Sequence, residues 1–202
     1  MRISIKPVDD MKILDNITNT VRDDLRVEIK KGSRVSIAAA CFSMYAYKEL
    51  KKQLETIDEF EFIFTSPTFV KEKAEKQKRE FYIPRISRET SLYGTEFEIK
   101  LRNEMTQRAI AKECADWIRR KATFKSNTTG ENMAGFMTVD SGAAQTAYMP
   151  IGGFTTVDIG CERGNNSYNM VNCMEAPFAQ QYMKLFDTCL LYTSDAADDR
   201  IS

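Results

Sequence analysis

The sequence predicts an α/β protein, on three observations. Residues 12–64 alternate helical and strand-like patterns across short joints, the order that builds a layered sheet with parallel pairing. Within them, RVSIAAACFS (34–43) is apolar and continuous enough for a strand buried on both faces. Further on, residues 133–172 read as two short strands joined by a hairpin-like connection and followed by a Gly/Asn-rich loop, a unit on which binding sites are often built.

Residues 1–10 form a short mixed extension, which makes Met11 a second candidate start. Residues 12–31 are expected to be helical. Leu14, Ile17, Val21, Leu25 and Ile29 recur at spacings of three and four, and Gly32 stands where a left-handed C-terminal cap belongs. Residues 45–57 make a second helix, with Leu50 and Leu54 inward and Lys48, Glu49, Lys51 and Lys52 mostly solvated. EFEFIF (59–64) alternates like a strand, which Ser66 and Pro67 end. Residues 69–90 are dense in both charges; Phe81 and Tyr82, between Arg79 and Arg85, fit an edge strand or a base-stacking pair equally well.

Residues 96–122 are the longest helical candidate, with Ile110, Cys114, Trp117 and Ile118 on the apolar face and Trp117 read as core. Residues 125–130 follow as a polar turn, and 174–188 as an amphipathic helix offering Phe178, Tyr182, Leu185 and Phe186 for packing. Residues 189–198 read CLLYTSDAAD, the codon-by-codon translation of a transposase-adapter end used in sequencing libraries. Residues 189–202 are therefore expected to be a non-native tail, and the natural chain to continue differently beyond Thr188.

The composition, 43% hydrophobic and 29% charged over 202 residues, suits one globular domain with appendages. Lys+Arg and Asp+Glu are 29 each, so no global basic field exists and a nucleic-acid surface must come from local clustering. No apolar run reaches membrane-spanning length and residues 1–10 lack a signal-peptide core, so a cytoplasmic protein without a membrane partner is expected. The chain has no histidine, which excludes Ser-His-Asp and Cys-His hydrolases and His-ligated metal sites. The pattern GxxxxGK[ST] is also missing, so no ATPase phosphate loop lies in these residues. Cys41, Cys114, Cys161, Cys173 and Cys189 form no CxxC pair and are expected to be reduced, mostly core thiols.

One local charge excess stands out: residues 100–125 carry eight basic and three acidic side chains. At a hundred degrees per residue, Arg108, Lys112 and Arg119 share a strip opposite the apolar face. This is either a solvated helix face or an electrostatic footprint.

Residues 11–188, from MKILDNITNTVRDDLRVEIKKGSRVSIAAACFS to NMVNCMEAPFAQQYMKLFDT, resemble the N-terminal region of bacterial DEAD/DEAH-box helicases that carry a phospholipase-D-like domain ahead of the motor. The resemblance implies a phospholipase-D-like α/β/α layered domain with a mixed, partly parallel sheet, truncated from a longer protein. ATP and Mg would then serve only the missing motor domains, and these residues would hold no cofactor. Active members of the family use HxKxxxxD, a GSxNFT-like turn and a downstream Asn: the histidine attacks phosphorus, the lysine holds the phosphate, and a second copy supplies the leaving-group acid. Superposed on this chain, Met133 stands at the histidine, Ala134 between, and Gly135 at the lysine. Residues 150–155 (PIGGFT) occupy the turn and Asn172 the downstream Asn. Ala134, Phe154, Thr155 and Asn172 fit, whereas the nucleophile and the lysine are lost.

The resulting expectation is a catalytically inactive accessory domain that helps a helicase engage nucleic acid, DNA ahead of RNA. Arg108, Lys112, Arg119, Arg120, Lys121 and Lys125 are the candidate phosphate contacts, with the Gly152-Gly153 turn and the Asn165-Asn166 loop as backbone donors. The alternative is an interaction module that forms a homodimer or docks on the chain's own C-terminal helicase domains. A working nuclease would need Tyr148, Cys161 or Ser167 as nucleophile, or a metal held by Asp140, Asp158 and Glu162.

Overall fold

Residues 12–31 do not form one helix, because Asp15 interrupts them. Its carboxylate accepts the backbone N–H groups of Ile17 (2.9 Å), Thr18 (2.8 Å) and Asn19 (2.9 Å), and Asn16 turns the chain at φ 53°. Such Asx-type turns compete with helix for the same donors. Strand β1 (Met11–Leu14) precedes the turn and helix α1 (Val21–Glu28) follows it, N-capped by Thr20, whose hydroxyl accepts from Asp23 N–H. Ile17, assigned to the apolar stripe by its spacing, is instead 58% exposed. Gly32 has the expected positive φ of 83°, but it sits in the turn before the next strand, after the helix has already ended.

The computed structural model describes residues 11–65, 107–129, 133–164, 169–191 and 193–195. Residues 1–10, Ser66 and Pro67, the charged segment with Phe81 and Tyr82, and the first part of the long helical candidate lie outside the described residues. Asn165, Asn166 and Ser167 do so as well.

After α1 come β2 (Arg34–Ala39), α2 (Met44–Leu54) and β3 (Glu59–Phe64). Then follow α3 (Gln107–Lys121), β4 (Ala122–Asn127), the hairpin β5 (Phe136–Asp140) and β6 (Gln145–Met149), β7 (Val171–Glu175), α4 (Phe178–Leu190) and β8 (Thr193–Asp195). The strands form one sheet in the order β1-β7-β6-β5-β2-β3-β4-β8. β2–β3 and β3–β4 are parallel and the other pairs antiparallel, so the sheet is mixed and partly parallel. This is the α/β class that the alternating pattern predicts. β8 lies in the stretch read as adapter translation and pairs with the outer edge of β4.

Three further boundaries differ from the sequence reading. The segment from Lys125 onward is not yet a turn, since β4 runs to Asn127. Met174 belongs to β7 rather than to the last helix, which begins at Phe178. The 34–43 strand is buried on both faces as expected, Val35, Ile37 and Ala39 on one side and Ser36 and Ala38 on the other, but it ends at Ala39. In each case pairing between distant strands outweighs local propensity.

Helices α1, α2 and α3 cover one face. Val21, Leu25, Leu50, Leu54, Cys114 and Trp117 pack there against Val35, Ile37, Phe60 and Phe62. Helix α4 covers part of the other face, where Phe186 joins Ala38, Ile63 and Phe136. Trp117 is wholly buried between Tyr47 (ring centroids 4.9 Å) and Phe60 (5.0 Å), and its Nε1–H donates to the Leu54 carbonyl at 2.9 Å. That geometry makes Trp117 a core residue, with its one polar group satisfied. No helix among the described residues is long and apolar enough to cross a membrane.

Candidate functional site

In an open α/β sheet the crevice at the carboxyl ends of parallel strands is the usual place for chemistry. Here that edge brings together Cys41, which follows β2, Thr65, which follows β3, Asn127 at the end of β4, and the 133–135 and 151–158 segments. Hydrogen bonds stitch 151–158 to the residues just after β2, and 133–135 to 151–158. Ala40 N–H donates to the Gly152 carbonyl (3.0 Å), Phe154 N–H to the Cys41 carbonyl (2.8 Å), and Ile151 N–H to the Gly135 carbonyl (2.9 Å).

The position aligned with the phosphate-binding lysine is closed by main chain. A Cβ on Gly135 would stand 1.7 Å from the Ile151 carbonyl oxygen and 3.3 Å from that of Ala38. No side chain fits there without displacing backbone. Met133, aligned with the nucleophile, is half-buried against the small cluster beneath α4. Asn172 lies near the same end, opposite Met149 in the β6–β7 register.

The Gly152-Gly153 turn is also occupied from within. Gly153 N–H donates to the carboxylate of Asp158, which also accepts from the Thr155 hydroxyl and from backbone N–H groups at 155 and 158. A Cβ on Gly153 would meet Cys41 Sγ at 2.6 Å and Asp158 Oδ2 at 2.9 Å. Burial pushes the Asp158 carboxyl above its ordinary pKa, against the pull of those donors. One donor expected to face an external phosphate, the Gly153 N–H, therefore already holds the chain's own carboxylate. Beside them, Phe42 stacks on Phe154 (5.5 Å) and meets Phe60, Phe62 and Phe124 edge-on, so rings fill the rest of the edge.

No family model matches the chain, and no curated protein does. Among solved structures it is similar to that of TrmBL2, an archaeal chromatin protein whose structure is described as showing a novel mode of DNA binding. The TM-score is 0.41 and the identity 7%, over 96% of this chain and 57% of that one.

The basic residues do not converge on this edge. Helix α3 runs antiparallel to β4, so Arg119, Arg120 and Lys121 lie at the opposite end of the sheet, about 20 Å along the helix from position 108 at 1.5 Å per residue. Lys112 and Arg119 are exposed, as their spacing predicts. Arg119 pairs with Asp116 (2.7 Å) and Arg120 with Glu55 (3.2 Å), while the Lys121 ammonium donates to the Ile57 carbonyl. Lys125 is on the other face: Phe124 packs with the α3 side of the sheet, so its neighbour points to the α4 side. The side chain of Arg108 lies outside the described residues.

The alternative chemistries fare no better. Asp140 closes the β5–β6 hairpin, accepting from Gly142 N–H (2.8 Å) and Gln145 Nε2 (2.9 Å), at the end of the sheet away from Asp158 and Glu162. Among the described residues no group of three or more His, Cys, Asp or Glu is placed to hold a metal ion. Cys161 is pushed up to about 11 by burial, with Glu49 adding to the shift, so it carries little thiolate near neutrality.

Tyr148 is fully buried and donates to Asp24 at 2.9 Å; burial, reinforced by that carboxylate, holds the phenol well above its ordinary pKa. Asp24 also receives the Lys12 ammonium and the Cys173 thiol (3.4 Å). This network ties α1 to β1, β6 and β7, and the sequence reading missed it. Its one signal was a tyrosine in a short apolar strand, whose hydroxyl needs a partner when buried.

Proposed function

We propose that this chain is a catalytically silent, phospholipase-D-like accessory module that engages nucleic acid for an ATP-dependent helicase carried elsewhere on its natural protein. The family resemblance over residues 11–188 suggests the parent, and the layered mixed sheet accords with it. Silence follows from Gly135, where backbone leaves no room for a phosphate-binding side chain.

The observation that carries nucleic-acid engagement is the exposed cationic strip on α3, Lys112 and Arg119 with Arg120 beside them. The Arg119–Asp116 pair is 73% and 50% exposed. Pairs this exposed contribute about 0–1 kcal/mol, so a phosphate can recruit Arg119 at little cost. The footprint proposed from the geometry is smaller than the one read from sequence, since Lys125 and the Gly152-Gly153 turn face elsewhere.

Filter binding of the full chain to single-stranded and duplex DNA across a salt series tests this. Affinity should fall as salt rises, with a slope set by the number of phosphates contacted, and Lys112→Ala/Arg119→Ala/Arg120→Ala should flatten that slope by about two to three counterions. Binding without salt dependence, or a triple variant that binds like the parent, would overturn the reading.

A second reading, an interaction module, rests on the edge strand β1. Met11 and Ile13 are 54% and 51% exposed on one side of it, next to Met170 at 50%. Sedimentation equilibrium should then show a dimer that Met11→Lys/Ile13→Lys dissociates, and a monomer at all concentrations removes the homodimer.

A further inference from the structure

Beneath α4 the packing changes from apolar to polar half-way along the sheet. Ala38, Ile63, Phe136 and Phe186 fill the end nearest the Gly135 closure. At the other end the strands and α4 part around a cleft of about 300 Å³, with Ser36 and Thr138 as its floor. These two residues are direct cross-strand partners of β2 and β5, and they are only 5% and 3% exposed. Ser36 Oγ has one long contact, to Glu61 Oε2 at 3.5 Å. The Thr138 hydroxyl makes no hydrogen bond with the described residues and keeps access to solvent through the cleft. That hydroxyl is open to whatever occupies the cleft, whereas valine would fill the same space with no group to pair there.

Most of the polar wall groups are already paired, the exposed Lys184 ammonium apart. Arg34 holds Glu61 at 2.5 Å and Asp187 at 3.2 Å. Gln180 donates to Gln145 (2.9 Å), which donates to Asp140 (2.9 Å). Within the lining, Arg34 and Lys184 balance Asp140 and Asp187 charge for charge, so an ionic ligand gains no net attraction. On the floor the two hydroxyls remain available, Ser36 beyond its long contact to Glu61 and Thr138 in full, each able to donate and accept. The volume is at the small end of the range for ligand clefts, roughly 300–1,000 Å³. There is no ring for stacking among the lining residues.

We propose that this cleft binds a small uncharged polyol of monosaccharide size, with its hydroxyls received by Ser36 and Thr138. The site lies on the opposite face from the α3 cations and is independent of the nucleic-acid reading. The test is saturation-transfer NMR on the full chain with D-ribose and D-glucose as probes, and with glycine and inorganic phosphate as charged comparators. One of the sugars should bind saturably, with a dissociation constant on the order of millimolar, and Thr138→Val should weaken it about tenfold. Thr138→Ser, which keeps the hydroxyl, should retain binding, and the melting temperature of Thr138→Val should not fall. Absence of saturation with both sugars would mean that the cleft holds only water. That result, equal binding by a folded Thr138→Val, or preference for glycine or phosphate would overturn the proposal.

Discussion

Gly135→Lys should unfold the protein rather than create a phosphate-binding site. The new Cβ would lie 1.7 Å from the Ile151 oxygen and 2.9 Å from its carbonyl carbon, with the Ala38 oxygen at 3.3 Å. All three atoms are backbone, and the N–H of the same residue, Ile151, donates to the Gly135 carbonyl, so relief requires that contact to open. Overpacking a core usually costs about 1–3 kcal/mol through side-chain adjustment, and more where backbone must move. Against a total stability of about 5–15 kcal/mol, even Gly135→Ala should shift the urea midpoint strongly and Gly135→Lys should leave little folded protein. An alanine variant with an unchanged midpoint would show that the 150–154 segment is not seated on Gly135, and the closed-site reading would go with it.

Trp117→Ala should be the most damaging change on the helical side, at about 3–5 kcal/mol. The indole is fully buried, lies against Tyr47 and Phe60, and carries the hydrogen bond that joins α3 to the end of α2. Trp117→Phe should cost less, about 1–3 kcal/mol, mostly from leaving the Leu54 carbonyl unpaired. Chemical denaturation followed by circular dichroism measures both. The same tryptophan, the chain's only one, separates core from base-stacking roles. Its emission should be that of a buried indole and should stay constant when DNA is added, whereas quenching by DNA would place it in the interface.

These two residues show how unevenly the site was legible. Trp117 could be placed from the sequence because its neighbours Ile110 and Cys114 repeat at helical spacing, and a local period reports a local face. Gly135 could be aligned with a lost lysine, but nothing near it in sequence reveals the carbonyl of Ile151, sixteen positions on, that closes the space. The basic count over 100–125 failed for a related reason. It treated as one surface a segment that changes at Lys121 from helix to strand, and that change sends Lys125 to the other face. The Gly152-Gly153 turn was recognisable as a tight turn, yet whether its donors faced solvent depended on Asp158 folding back onto them. The helical stripe over 12–31 was half right. Val21, Leu25 and Ile29 are buried with α1 as the spacing requires, but Met11–Leu14 pairs with β7, which lies about 160 residues later in the chain.

By itself the sequence determined the α/β class, the central strands, the core role of Trp117, and the exclusion of histidine-based chemistry, because each depends on composition or on a period within one element. Tertiary structure alone decided that the Gly135 position is shut, that the Gly-rich turn already holds a carboxylate, and that the cations lie on different faces and ends of the sheet. It also placed Ser36 beside Thr138 over an open cleft. Each of these depends on which distant segments the sheet brings side by side, and the side-chain pattern of a single strand does not encode its partner's register.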